Sequence, residues 1–250
     1  MNDTQIKNTL SILEAINCGK RKIANKINNK WLVDKEAKQA ILDYFKIQPM
    51  MHTNAFPNTY FDKVPLKFSD MSKEAIDALN IRIVPGATVR YGAFIAPKTV
   101  LMPCFINIGA YVGSNSMIDA QCTIGSCAQI GNHVHVGGGT GIGGVLEPLQ
   151  ANPTIIEDHC FIGARCEIAE GIIIGEGSVI GMGTKLGQST KIYDRNENKF
   201  LNHIPSGSVV VPGSVPSALG NCHLNAAIIV KKVTLETKQK TAINEILHQF

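Results

Sequence analysis

An aliphatic ladder with a step of six residues limits what this chain can fold into. Counting in sixes from Phe94 lands on Val100, Ile106, Val112, Ile118, Ile124, Ile130, Val136 and Ile142, and the count resumes after a break at Ile156, Ile162, Ile168, Ile174, Ile180, Leu186 and Ile192. No helix has that period. Glycine directly follows the ladder residue at Gly125, Gly131, Gly137, Gly163, Gly175, Gly181 and Gly187. Four residues after it the chain prefers a small or thiol-bearing side chain, as at Cys104, Ala110, Ser116, Cys122, Ala128, Cys160, Cys166, Ser178 and Thr184. A short fixed repeat with one aliphatic per step predicts a mostly β chain built as a parallel β-helix, each hexad forming one flat side of a triangular coil. Ladder residues of successive coils then stack inside the prism, where a fully buried Ile contributes about 1.5–3 kcal/mol. A globular α/β domain with scattered Ile-Gly pairs would have to hold this phase by chance.

Composition narrows the partners. A net charge of +4, with 24 basic and 20 acidic residues interspersed, does not point to nucleic acid; it suits a small anionic molecule better. The N-terminal stretch has no apolar signal core, and no window approaches the roughly 18 apolar residues of a membrane span, so a cytoplasmic protein is expected, with no membrane partner. Seven cysteines form no CxxC pair, and four of them occupy the small position of the hexad. Buried structural thiols are expected there rather than disulfides, metal ligands or a nucleophile; Cys127 lies just off that position.

Outside the ladder, Ile6, Leu10, Leu13 and Ile16 recur at helical spacing up to a stop at Asn17-Cys18-Gly19. Residues 22–33 read as two short strands about an Asn28-Asn29 turn, and Asp34 caps a second helix carrying Ala37, Ile41, Tyr44 and Phe45 on one face and closed by Pro49. Residues 50–70 read as irregular, and Ser72 starts a short helix to Leu79. The expected organisation is a mainly helical N-terminal domain at 1–80, the β-helix at 81–213 with a loop insertion at 143–155, and a C-terminal strand-helix extension at 214–250. The break between Ile142 and Ile156 spans fourteen residues, two more than two hexads, and predicts a loop protruding from one corner. Past Ile192 the count lands again on Ile204 and Val210, so residues 194–200 read as a bulged coil. A strand at 226–233 and a helix carrying Ile243, Ile246 and Leu247 are expected to close the open end of the prism.

A packed prism has no room inside for a ligand, so chemistry belongs to outer faces, loops or the space between prisms. Asp119 follows Ile118 where later hexads mostly place Gly, and Glu167 precedes Ile168 beside Arg165; as single carboxylates both also fit solvated corner residues. Gly139-x-Gly141-x-x-Gly144 has the form of a dinucleotide fingerprint, but it lies inside the ladder without a following helix. Its glycines are expected instead to allow close backbone approach or to make turns.

Longer motifs carry a resemblance. Arg90-Tyr91-Gly92-Ala93-Phe94-Ile95-Ala96-Pro97, Asn107-Ile108-Gly109-Ala110-Tyr111-Val112, Gly125-Ser126-Cys127-Ala128-Gln129-Ile130-Gly131, the run Gly141-Ile142-Gly143-Gly144-Val145-Leu146-Glu147-Pro148-Leu149-Gln150, Phe161-Ile162-Gly163-Ala164-Arg165 and Leu186-Gly187-Gln188-Ser189-Thr190 resemble the tetrahydrodipicolinate N-succinyltransferases, and Tyr60-Phe61-Asp62-Lys63-Val64-Pro65 extends the match. The resemblance implies a left-handed parallel β-helix, a homotrimer with active sites between subunits, and transfer of a succinyl group from succinyl-CoA to the amine of ring-opened tetrahydrodipicolinate in lysine and diaminopimelate biosynthesis. No metal is expected. Carried over, Asp119 and Glu167 match the family's two acidic catalytic positions and Arg82 a substrate-binding arginine. Asp119 and Arg165 are also expected to touch substrate, and Gly163, Ala164, Lys231 and Lys232 to meet coenzyme A. Two departures, Ala120-Gln121 for an aromatic and Cys222-His223-Leu224-Asn225 for a tyrosine-rich run, leave the acetyl-CoA counterpart as an alternative. His133, His135 and His159 keep a zinc carbonic anhydrase of the same fold as a rival, and a non-catalytic trimeric scaffold is the third.

Overall fold

The structure is a computed structural model and describes residues 1–55, 58–235 and 237. The chain opens with α1 (Asp3–Asn17), started by a capping box in which Asn2 accepts from the Gln5 amide and Gln5 answers to the Asn2 amide. A hairpin of Ala24–Ile27 and Lys30–Val33 follows, turned by Asn28 and Asn29 at φ of 50° and 60°. Next comes α2 (Lys35–Ile47), capped by the Asp34 side chain on the Ala37 amide, and later α3 (Lys73–Leu79), capped by Ser72 and ended by Asn80 in the left-handed region. Between α2 and α3, residues 50–70 are more regular than their sequence suggests: Met51–Ala55 pairs antiparallel with Asn58–Asp62. The pair has no alternating apolar pattern to betray it. It is held outside the core, with His52 stacked on Phe61 at 4.6 Å and Asp62 ion-paired with Arg90 at 2.6 Å.

From Arg82 the chain winds into a three-sided parallel β-helix. Face 1 stacks Phe94–Ile95, Tyr111–Val112, Gln129–Ile130, Ile155–Ile156 and Ile173–Ile174; face 2 stacks Arg82–Ile83, Val100–Leu101, Met117–Ile118, His135–Val136, Phe161–Ile162 and Val179–Ile180. Face 3 stacks Thr88–Val89, Phe105–Ile106, Thr123–Ile124, Gly141–Ile142, Glu167–Ile168 and Lys185–Leu186. The second residue of each pair points inward and is buried in one continuous aliphatic core, where the small positions Cys104, Cys122, Cys160 and Cys166 fill the corners.

The first two rungs differ from the hexad count. The residues in register with Val112 and Ile118 are Ile95 and Leu101, not Phe94 and Val100, so the side from Leu101 to Ile106 is one residue short. Most described corners turn at the third residue after the rung in the left-handed region, as at Gly86, Lys98, Asn115, Gln121, His133, Gly139 and Arg165, and the short corner between Leu101 and Phe105 has no left-handed residue.

The far end also departs from expectation. Residues 194–200 are not a bulged coil: Lys191–Asp194 turns back antiparallel on Lys199–Leu201, and the ladder resumes where Ile204 bridges Ile174 and Val210 pairs with Ile180. Ser208–Pro216 then pairs antiparallel with His223–Lys232, which also runs parallel to Lys191–Asp194. Two strands leave the prism and form a flat extension of face 2. The helix expected around Ile243, Ile246 and Leu247 lies outside the described residues.

The helices pack against the corner between faces 3 and 1. Ile12, Leu13, Ile16, Ala37, Ile41 and Tyr44 form a second core with two prism residues from that corner, Ile108 and Cys127. The inserted loop leaves from the same corner, after Gly141–Ile142, and Leu146 packs on this second core.

Candidate active site

The corner between faces 2 and 3 gathers the acidic positions singled out by sequence. Asp119 follows the strand Met117–Ile118; its amide donates to Val136 O at 3.0 Å and its Oδ1 accepts from the Ala120 amide at 2.7 Å. That bond fixes one carboxylate oxygen. The other, Oδ2, lies beside Gly138 on the next coil, 3.6 Å from where a Cβ on Gly138 would stand. One coil further on, the exposed Arg165 turns the corner at φ 56° and lays its side chain under Gly139, its Cγ 3.4 Å from the place of a Gly139 Cβ. Glu167 stands opposite Gly141 in the ladder, and its carboxylate occupies the space that a Gly141 side chain would need.

Residues 137–141 therefore form a glycine shelf. On one side stands Asp119, on the other Arg165 and Glu167, and the stack places the two carboxylates two coils apart, about 10 Å at ~4.8 Å per coil. Such a shelf admits a small amine between two anions, with a guanidinium alongside for a carboxylate. Arg165 holds the left-handed backbone that also turns this corner on other coils, at Gln121, Gly139 and Gly183.

The remaining sequence candidates spread along the prism. Arg82 is exposed on face 2 and stands four ladder steps from the coil of Glu167, through Val100, Met117, His135 and Phe161. Gly163 and Ala164 belong to the same corner as the shelf. Gly163 has a structural reason to be glycine, because a Cβ there would stand 2.6 Å from the Met182 amide nitrogen. Lys231 and Lys232 end the last strand, opposite Val209 and Ser208, with the Lys232 ammonium donating to Ser206 O at 3.1 Å. The single chain does not bring these lysines, or Arg82, onto the shelf.

The histidines do not converge. His133 and His159 stack at 4.8 Å on the corner between faces 1 and 2, while His135 stacks on Phe161 on face 2. Among the described residues no cluster of three or more His, Cys, Asp or Glu could hold a metal ion. Elsewhere, on face 1, a cavity of about 230 Å³ lies under the first hairpin, lined by Lys22, Lys26, Trp31, Tyr111 and Glu157 among others; none of the sequence candidates lines it. There the Trp31 indole and the Lys26 ammonium both donate to Glu157 Oε1, and these partners hold the carboxyl below the usual carboxylate range against the opposing effect of burial.

Sequence reasoning missed the shelf itself. Gly138 is not in a ladder position, and only the stacking of coils shows that it faces Asp119. It also missed Lys38, although a lysine between Ala37 and Ile41 on the apolar face of α2 was the visible signal.

Comparison with known proteins identifies the family. Residues 153–188 match the hexapeptide repeat of succinyl-transferase, and residues 109–144 match the bacterial transferase hexapeptide of six repeats. The 2,3,4,5-tetrahydropyridine-2,6-dicarboxylate N-succinyltransferase of Buchnera aphidicola is 53% identical over 240 residues, covering 96% of this chain and 87% of that protein. The Idiomarina loihiensis protein of the same name is 50% identical over 237 residues, covering 94% and 86%. A crystal structure of a Campylobacter jejuni protein, described as a putative N-succinyltransferase, shares the fold with a TM-score of 0.57 at 19% identity, covering 89% of this chain and 62% of that one. The architecture is thus the left-handed parallel β-helix of the hexapeptide-repeat transferases, and the chain belongs to the 2,3,4,5-tetrahydropyridine-2,6-dicarboxylate N-succinyltransferase family.

Proposed function

We propose that the glycine shelf is where a succinyl group passes from succinyl-CoA to the amine of ring-opened tetrahydrodipicolinate, in the cytoplasm, within a homotrimer whose neighbouring prism closes the site. The observation that carries this reading is the glycine-floored gap between Asp119 and the Arg165–Glu167 pair, in a chain of this family.

An α-amine with a pKa near 8 is mostly protonated at neutral pH and has no lone pair to attack a thioester. Asp119, with Oδ1 held by the Ala120 amide, has Oδ2 left to orient the ammonium and accept its proton. The free amine then attacks the thioester carbonyl carbon; the C–N bond forms, the C–S bond breaks, the second nitrogen proton leaves on the coenzyme A sulfur, and Asp119 returns the first to solvent. Glu167, across the shelf, is the partner carboxylate for the same ammonium. Arg165 offers a planar guanidinium for a bidentate grip on a substrate carboxylate, and Arg82 is assigned a second grip in the closed site. Gly163 and Ala164, on the corner of the shelf, and Lys231 and Lys232, at the opposite edge of face 2, are assigned to the coenzyme.

The test is thiol release from succinyl-CoA and from acetyl-CoA with 2-aminopimelate as acceptor. Faster release from succinyl-CoA is expected. Equal or reversed preference would overturn the succinyl assignment, and no release from either would overturn acyl transfer.

A further inference from the structure

Lys38 is completely buried, at 0% exposure, in the middle of α2. Its ammonium donates to Pro148 O at 3.1 Å and Ala151 O at 3.0 Å, two carbonyls brought together by a turn in which the Ala151 amide donates to Pro148 O at 3.0 Å. Among the described residues no carboxylate pairs with it; burial pulls the lysine below its ordinary pKa, with the buried Cys127 acting the other way. Desolvation disfavours a buried ammonium, and two neutral carbonyls offset that only in part. An apolar side chain would suit the helix packing, so the interest of Lys38 lies in what it holds.

What it holds is the inserted loop. That segment is tied down at three successive places. Gly144 lies against the backbone of Gly125 and Ser126, the Val145 amide donating to Ser126 O at 3.1 Å. Leu146 packs on the helical core, and the turn at 148–151 sits on Lys38. The loop departs two residues after Gly141, whose missing side chain makes room for the Glu167 carboxylate. A loop that shifted at its base would move the floor of the shelf.

We infer that Lys38 is a positioning residue for the acyl transfer, fixing loop 143–154 and through it the Gly141 floor beside Glu167. The inference rests on the shelf being the reaction site. Its test is hydrogen exchange by mass spectrometry on the full chain, with kinetics of thiol release, comparing the parent with Lys38→Met. Exchange in peptides from 143–154 is expected to quicken at least tenfold while ladder peptides from 156–180 stay protected, and kcat is expected to fall tenfold or more. Unchanged exchange in 143–154 would overturn the inference, and so would faster exchange with unchanged kcat and KM, which would leave Lys38 a purely structural anchor. A parent that releases no thiol would instead overturn the reaction reading on which the inference stands. Should Lys38→Met fail to fold, Lys38→Gln, which keeps two N–H donors without the charge, carries the same two measurements.

Discussion

The prism and the helical region in front of it are stabilised in different ways. Each rung of the prism is buried by the rungs before and after it, so its core is continuous from Ile81 to Ile229, and of the helices it is α3 that touches it, through Leu79. The helical region is completed by Ile108 and Cys127, both supplied by a prism corner, and its hairpin is tied to the prism by Trp31 and Lys26 on Glu157. The prism is repetitive; the helical region depends on it. The proposed site lies where the two principles meet irregularities: a glycine shelf in the wall, and a loop fastened from the helical side.

Titration gives the largest effects in both regions, since the Cys127 thiol of the helical core is pushed up to about 12 by burial like those of the prism. Burial pushes the Cys104 and Cys160 thiols up to about 12 and Cys122 up to about 11, and raises Cys166 in the same direction. Above an unfolded thiol pKa near 9 the unfolded chain releases protons that the folded prism keeps, so stability falls as pH rises. Cys104 and Cys160 each remove about 1.4 kcal/mol per pH unit between roughly pH 9 and 12. Lys67, which donates to Asn17 O and Oδ1 at the end of α1, has the opposite sign: burial lowers it to about 8. Between pH 8 and 10.5 the folded lysine has released its proton and the unfolded one has not, so its contribution to the helical region grows with pH. Urea unfolding at pH 8, 9 and 10, followed by far-UV circular dichroism, is expected to show a steep loss above pH 9. Cys160→Ala is expected to make that loss shallower and Lys67→Met to make it steeper; a flat profile would mean the thiols are not buried in this way.

Core truncation gives the next largest effect. Ile162→Ala in the prism and Ile41→Ala in α2 should each cost about 2–5 kcal/mol. Their signatures should differ, because Trp31 is the sole tryptophan and reports on the helical region. Ile162→Ala is expected to shift the circular dichroism and Trp31 fluorescence transitions together, and Ile41→Ala to shift the fluorescence transition ahead of the other. Coincident transitions in Ile41→Ala would refute the asymmetry. The smallest effect is expected for Glu157→Gln, which weakens charge-assisted bonds to Lys26 and Trp31; loss of about 1–2 kcal/mol confined to the Trp31 transition is predicted.

The prism was legible from sequence because its core is periodic and local: one inward aliphatic per side is enough to place Ile118, Ile162 and Ile180. The phase slip was not, because Phe94 and Val100 are as apolar as the inward Ile95 and Leu101, so the count from Phe94 stays regular across the short corner. The strands 51–55 and 58–62 carry no alternating apolar pattern, and Lys191–Asp194 counts as a rung until the pairing of Ile204 with Ile174 shows otherwise. In the site, Asp119 and Glu167 were visible as interruptions of the repeat. The shelf between them was not, since the proximity of Gly138 to Asp119 arises only when successive coils stack.

That the chemistry resides in the shelf, rather than in carboxylates along the prism at large, is tested most directly by paired substitutions. Asp119→Asn removes the proposed base, whereas Glu170→Gln alters a carboxylate on the corner between faces 3 and 1, where it accepts from the Gln188 amide. Thiol release from succinyl-CoA is expected to fall about 100- to 10,000-fold in Asp119→Asn, with folding and assembly retained, and to stay at the parental rate in Glu170→Gln. A fully active Asp119→Asn variant would contradict the account.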